Sequence, residues 1–188
     1  MKAHSSLLGF RVKDRDELAS VLATIRASIS RFADPFKVIL SYADLPDEIA
    51  AADGTKCIAE EIISQGRQCT LEGYSFQGNI KVYGIVDSIH DRNRCSLERY
   101  EYPSSLPKRI RERMTRSACA VIEAVGLDDS PFNMEFFYRE ADDFISLLEI
   151  NARISKSHSP LFDKVEGVPH NEVMIDIALG RRPDYPVR

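Results

Sequence analysis

The sequence predicts an α+β protein in two parts, a small lobe over residues 1–63 and a larger lobe over residues 64–188. The larger lobe is expected to hold an antiparallel sheet with flanking helices. Three observations lead there. Apolar residues recur at helical spacing in Leu18, Val21, Leu22, Ile25 and Ile29, and again in Ile110, Met114, Ala118, Val121, Ile122 and Val125. Two strand-like runs, Cys69 to Phe76 and Ile80 to Ile89, flank Gln77-Gly78-Asn79, a hairpin signal. Two more, Phe132 to Tyr138 and Phe144 to Asn151, flank a short charged turn.

In chain order, Met1 to Lys13 reads as strand, loop, strand. Asp14 caps the next helix, with Glu17 three residues later completing a capping box. Asp34-Pro35 is expected to stop that helix. Lys37 to Tyr42 reads as a strand, the stretch to Gly54 as loop or short helix, and Cys57 to Ile63 as a further strand broken at Gln65-Gly66. Asp91 to Pro103 reads as a polar loop. Ser105 is the expected cap of the long helix, with Pro107 in its first turn and Gly126 at its end. Pro169 to Leu179 reads as the last helix, ended by Gly180.

Composition narrows the function. Of 188 residues, 44% are hydrophobic and 29% charged, the balance of a folded chain. A net charge of -4 argues against nucleic acid as a partner. Lys108, Arg109, Arg111, Arg113 and Arg116 alternate with the apolar face of their helix and read as its solvated side. No apolar run approaches the ~20 residues of a membrane span, and no basic, apolar leader follows Met1. Cytoplasmic location without a membrane partner is the expectation. Cys57, Cys69, Cys95 and Cys119 lack C-x-x-C spacing and read as small apolar residues in a reducing compartment. His4, His90, His158 and His170 show no metal-ligand spacing and read as surface or packing residues.

The most informative stretch is Phe132-Asn133-Met134-Glu135-Phe136-Phe137, followed by Leu147-Leu148-Glu149-Ile150-Asn151-Ala152-Arg153. Side chains alternate across a strand, so Asn133 and Glu135 share a face, as do Glu149 and Asn151. A turn centred on Asp142 sets Glu135 directly opposite Glu149. Opposed carboxylates repel, and a cation between them removes the penalty. Magnesium suits such a place, because it takes one or two carboxylates together with phosphate and water oxygens. Glu135, Glu149 and the amide oxygen of Asn151 are the candidate ligands, and Arg153 continues the same face. The other reading is a solvated amphipathic hairpin, since another turn length separates the pair. Met134, Phe136, Leu148 and Ile150 are expected on the opposite face, under the helix Ile110 to Val125.

These residues resemble the magnesium motif of the ATP-grasp family, which includes biotin carboxylase, carbamoyl-phosphate synthetase and the D-alanine–D-alanine ligases. The resemblance implies that Glu135, Glu149 and Asn151 hold the magnesium ions of bound ATP and that Arg153 contacts the reacting groups. Ala59-Glu60-Glu61-Ile62-Ile63 resembles the inter-lobe strand that meets the adenine edge, which implicates Glu60, Glu61 and Ile63. Lys2 resembles the lysine that reaches the phosphates, and Ser5 and Ser6 fall in the phosphate loop. Gln68 stands where a ribose-binding glutamate is common. Ser155 to Ser159, including His158, is similar to the loop bordering the acceptor substrate. The sequence departs from the pattern at Ala3, where proline is frequent, and in a phosphate loop with Gly9 as its single glycine.

By this resemblance the chain is an ATP- and magnesium-binding part of an ATP-dependent ligase. The family's chemistry joins a carboxylate to an amine or thiol through an acyl phosphate. The small lobe is then incomplete. Expected partners are the small-molecule substrates, an N-terminal segment of the same protein and a second copy in a homodimer, with the chain inactive alone. The alternative is a non-catalytic nucleotide-binding or oligomerisation module. An RNA-binding domain built on the basic helix is a third, and it would show steeply salt-dependent affinity.

Overall fold

The computed structural model describes residues 8–51, 54–63, 65–91 and 97–186. They fall into two compact units that divide between Glu61 and Ile62.

The first unit contains the helices α1 (Arg15–Ser28), α2 (Ser30–Leu40) and α3 (Asp47–Ala50). Asp14 caps α1 as expected, accepting from the N–H groups of Asp16 and Glu17 at 3.0 and 2.9 Å. Glu17 returns a bond one residue further out than a capping box requires, to the Lys13 N–H at 2.8 Å. Pro35 does not end the helical run. The break comes earlier, at Ile29, and Pro35 lies inside α2. Most of the strand expected over Lys37 to Tyr42 is therefore helix, because a short apolar run such as Val38-Ile39-Leu40 has no periodicity that separates the two. The strand expected over Cys57 to Ile63 does not form either, nor does one within residues 8–13. Among the described residues of this unit only Ala33 is buried.

The second unit is built on an antiparallel sheet in the order β3-β2-β1-β4-β5, comprising β1 (Arg67–Phe76), β2 (Asn79–His90), β3 (Leu97–Glu101), β4 (Ser130–Arg139) and β5 (Phe144–Asn151). Gln77 and Gly78 turn the first hairpin with φ of 49° and 74°, the left-handed pair that matches strand twist. The stretch read as a loop after Asp91 contains β3. Its charged sequence Leu-Glu-Arg-Tyr-Glu suits an edge strand and shows no alternation.

One face of the sheet packs under α4 (Lys108–Val125), where Ile110, Met114, Ala118 and Ile122 meet Leu71, Phe132, Met134 and Phe136. Pro107, not Ser105, occupies the cap position of α4. Ser105 is drawn instead to the buried Asp87, to which its N–H and hydroxyl both donate at 2.9 Å. Gly126, at φ 66°, ends the helix as expected. The cover of α4 does not extend to Leu148 and Ile150, which stay 39% and 37% exposed on the outermost strand. Part of the basic face of α4 has a structural task, since Arg109 and Arg113 each reach Asp143 at the tip of the β4–β5 hairpin at 2.9 Å.

The opposite face is divided. Its apolar half, with Tyr74, Phe76 and Tyr83, is covered by α5 (Ser159–Glu166) and α6 (Asn171–Ala178) through Phe162, Val173 and Ile177. Its polar half stays open and forms the site described below. The helix α5 follows the Ser155–Ser159 loop in a stretch for which the sequence suggested no element, whereas α6 lies inside the expected span. No helix among the described residues is long and apolar enough to cross a membrane.

Phe162 sits against Gly84, and a Cβ there would fall 2.5 Å from a ring carbon. Gly84→Ala is therefore expected to displace α5 and to cost about 1–3 kcal/mol, the usual range for an overpacked core. Urea unfolding checks this, and an unchanged midpoint would show that Phe162 has room to yield.

Candidate functional site

The ladder between β4 and β5 sets the site. Near the turn its pairs are Arg139 with Phe144, Tyr138 with Ile145, Phe137 with Ser146 and Phe136 with Leu147. Continued unbroken, this register would place Glu135 opposite Leu148 and turn Glu149 to the other face. A bulge intervenes between Glu135 and Phe136, so that Glu135 pairs with Glu149, Met134 with Ile150 and Asn133 with Asn151. One extra residue in β5 thus moves Glu149 to the face of Glu135. The opposition expected of these two acids is present, although the turn that leads to it is offset from Asp142.

Polar side chains order the two acids. Gln68, on the neighbouring strand β1, donates from Nε2 to Glu135 Oε2 at 3.0 Å. Its Oε1 meets His90 Nε2 at 2.7 Å, so that nitrogen carries the proton. Asn151 Nδ2 donates to Glu149 Oε1 and to Asn133 Oδ1, both at 3.1 Å. Arg153 Nη2 donates to Asn151 Oδ1 at 3.4 Å. Because a guanidinium only donates, this bond fixes which end of the Asn151 amide faces Arg153. Asn133, almost fully buried, donates to the Arg153 carbonyl at 2.8 Å.

An open cleft of about 760 Å³ lies over this polar half of the sheet, a volume within the usual range for small-molecule sites. Gln68, His90, Asn133, Glu135, Arg153 and Lys156 are among its lining residues. Among the described residues no three of His, Cys, Asp and Glu converge as a metal-holding group. The candidate donor set, Glu135, Glu149 and Asn151, comprises two carboxylates and an amide oxygen. That set is hard, anionic and incomplete, which fits magnesium completed by phosphate and water oxygens and does not fit a closed zinc site.

The remaining candidates divide. Lys2, Ser5 and Ser6 lie outside the described residues. Glu60 and Glu61 close the first unit and Ile63 is the second residue of the other, in a stretch without the strand on which an adenine-edge role was expected. Gln68 is on the cleft wall, engaged with Glu135 and His90.

Sequence reasoning missed Glu72 and His170, and it placed His158 in the loop bordering the acceptor substrate without foreseeing its buried partner. Glu72 lies on β1 directly opposite Asn133 and is fully buried. Its Oε1 is 2.8 Å from His158 Nδ1, and its Oε2 accepts from the Ser155 N–H at 3.3 Å. His170 Nε2 is 3.0 Å from the Ser155 carbonyl, and its Nδ1 is 3.3 Å from the Tyr83 hydroxyl. Burial pushes the Glu72 carboxyl well above the usual carboxylate range, and burial holds both imidazoles down at about 4. The histidines are neutral near pH 7. The three residues lie up to 98 positions apart in sequence, so no local spacing announces them.

Residues 76–184, more than half of the chain, match the family model described as carbamoyl-phosphate synthase L chain, ATP binding domain. Among solved structures, the chain is similar to a biotin carboxylase from Campylobacter jejuni in a β,γ-ATP complex, with 23% identity and a TM-score of 0.56 over 66% of this chain and 27% of that one. The biotin carboxylase domain of the Hydrogenobacter thermophilus 2-oxoglutarate carboxylase, a dimer in complex with MgADP, ADP and bicarbonate, is 25% identical. Its TM-score is 0.53, over 64% of this chain and 26% of that one. An L-amino acid ligase from Bacillus licheniformis gives 21% identity and a TM-score of 0.62 over 90% of this chain and 38% of that one. The chain thus covers between about a quarter and two fifths of the length of these structures. No curated protein sequence matches it significantly.

The buried triad predicts a pH signature. Between about 4 and 6.5 an unfolded chain protonates both imidazoles while the folded chain leaves them neutral, so the histidines favour folding more as pH rises through that window. Glu72 acts in the other direction. Above its ordinary value of 4.5 the unfolded carboxyl ionises while the folded one keeps its proton, and stability falls with rising pH. Relative to Glu72→Gln, which has no proton to lose, the wild type is expected to lose up to about 1.4 kcal/mol per pH unit above that value. Urea unfolding of both proteins at pH 5, 6 and 7 measures the difference. A constant difference would show that Glu72 titrates as a solvated acid.

Proposed function

The chain belongs to the carbamoyl-phosphate synthase L chain ATP-binding family, within the ATP-grasp enzymes, and from that premise we propose that it is the ATP- and magnesium-binding part of an ATP-dependent ligase. The proposed reaction joins a carboxylate to an amine or thiol through an acyl phosphate. The observation that carries this reading is the pairing of Glu135 with Glu149 on one face of the sheet, with Asn151 and Arg153 in line beyond them; of these four, Glu135 and Arg153 line the cleft.

In this reading Glu135, Glu149 and Asn151 hold magnesium, which neutralises charge on the phosphoryl group in transfer. The bond from Arg153 to Asn151 Oδ1 is long, so that oxygen can turn to a cation at small cost. Arg153, whose Nη1 stays on the Ile154 carbonyl at 3.2 Å, then has Nη2 to offer an acyl phosphate. Gln68, beside Glu135, is assigned to a ribose hydroxyl on the family resemblance. Lys2, Ser5 and Ser6 are assigned to the phosphates, and Glu60, Glu61 and Ile63 to the adenine edge, on the family resemblance alone. The MgADP complex of the Hydrogenobacter thermophilus carboxylase domain supports ATP and magnesium as the cofactor pair.

Glu149→Gln keeps the shape of the ligand and removes its charge. It is expected to weaken MgADP binding by about tenfold or more, since even residues behind the ligands of a metal site cost 10–100-fold when changed. Binding of metal-free ADP should change little. Calorimetry with and without magnesium separates the two. A variant with the magnesium dependence of the wild type would remove Glu149 from the site.

A further inference from the structure

We infer that Glu72 is a positioning residue of the cleft, holding in place the loop that presents Arg153, Lys156 and Ser157 to a bound ligand. The inference rests on the reading of the cleft as a nucleotide and metal site, but its structural half can be tested without any ligand.

The argument begins with the loop's own backbone. The chain leaves β5 at Asn151 and turns through Arg153 and Ser155 into a single 3₁₀ turn, Lys156–His158, before α5. Arg153, Lys156 and Ser157 are exposed and border the cleft. A loop of this kind ordinarily satisfies its backbone with water and moves. Here side chains from three other elements take that role. Asn133 of β4 donates to the Arg153 carbonyl, His170 at the start of α6 meets the Ser155 carbonyl, and Glu72 of β1 accepts from the Ser155 N–H. These three side chains are at most 2% exposed.

The proton arrangement follows from the partners. A carbonyl can only accept, so His170 Nε2 carries the hydrogen. Its neutral ring then accepts at Nδ1 from the Tyr83 hydroxyl. His170 Nδ1 is 3.9 Å from Glu72 Oε2, too far for a bond, and so does not compete for the acid. Glu72 grips the loop at two points, through Oε2 at Ser155 and through Oε1 at His158. The exposed pair Lys156 and Ser157 lies between these points. A buried acid is costly unless its bonds are needed. Sheet formation does not need it, because β1 pairs through its backbone with Gly84 and Asn133 at this position whatever the side chain. The bonds of Glu72 serve the loop.

Two substitutions distinguish this role from simple core packing. Glu72→Gln keeps one acceptor for the Ser155 N–H and supplies a donor for His158 Nδ1. Glu72→Leu keeps the bulk and removes both. The measurement is amide hydrogen exchange across the full chain, followed by MgADP binding. In the ligand-free wild type the Ser155 amide is expected to be protected like the amides of β1. In Glu72→Leu it should exchange at least about tenfold faster while α4 keeps its protection, as a local opening does, and MgADP should bind about tenfold more weakly. Glu72→Gln should restore both to near wild type. Should Glu72→Leu fail to fold, the wild type still decides: a Ser155 amide that exchanges like an exposed loop, or becomes protected only with MgADP, overturns the inference. So does a Glu72→Leu variant with unchanged Ser155 protection. A wild type that binds no MgADP would count against the functional reading, and the exchange data would still settle whether Glu72 holds the loop.

Discussion

Two carboxylates directly opposite one another across a pair of strands repel, and much of the second unit is arranged around that repulsion. Glu135 and Glu149 are each given an amide donor, from Gln68 and Asn151 respectively. The polar cleft stays open beside them, on a sheet whose other face packs under α4 and whose apolar half on this face is covered by α5 and α6.

The division of that face follows from side-chain type along single strands. On β1 the residues Gln68, Thr70 and Glu72 precede Tyr74 and Phe76 on the same face. The aromatic end recruits Phe162, Val173, Ile177 and Tyr185, a cluster large enough to anchor two short helices. The polar end recruits the loop that joins them to β5. Glu72 lies at the boundary, where a side chain must be as buried as its aromatic neighbours and still satisfy the backbone of a loop. The neutral histidines at His158 and His170 suit that boundary, since each offers a ring to the apolar side and a nitrogen to the polar one. His170 stacks on Phe162 at 4.8 Å, and His158 meets the Tyr100 ring at 4.5 Å.

The legible parts of the sequence were those governed by a local rule. The hairpin at Gln77-Gly78, the cap at Asp14 and the long helix ended by Gly126 all follow from periodicity or turn chemistry. The illegible parts were decided by distant partners. Val38-Ile39-Leu40 has the composition of a strand, yet it is helical. Ser105 has the chemistry of a helix cap, but Asp87, 18 residues earlier, binds it instead. Glu72, His158 and His170 meet only once the sheet and α6 are in place. The acidic pair shows a subtler failure, because its opposition was inferred from a single symmetric turn whereas the chain reaches it through an offset turn and a compensating bulge.

That bulge gives the hairpin two frames, one on each side of Leu148. The tip is locked in its own frame by Arg109, Arg113 and the Tyr138 hydroxyl, all bonded to Asp143. The acids belong to the second frame. The bulge therefore works as a parity switch: an odd number of residues gained or lost between Asp143 and Glu149 would leave the tip intact and exchange the inner and outer faces of everything beyond it. Glu149 would then stand on the face that packs under α4 further in, and Ile150 on the face that bears the cleft. Substitutions along this strand have graded consequences, but changes of length are all or none, so the spacing between the turn and the acid is as much a part of the site as the acid itself.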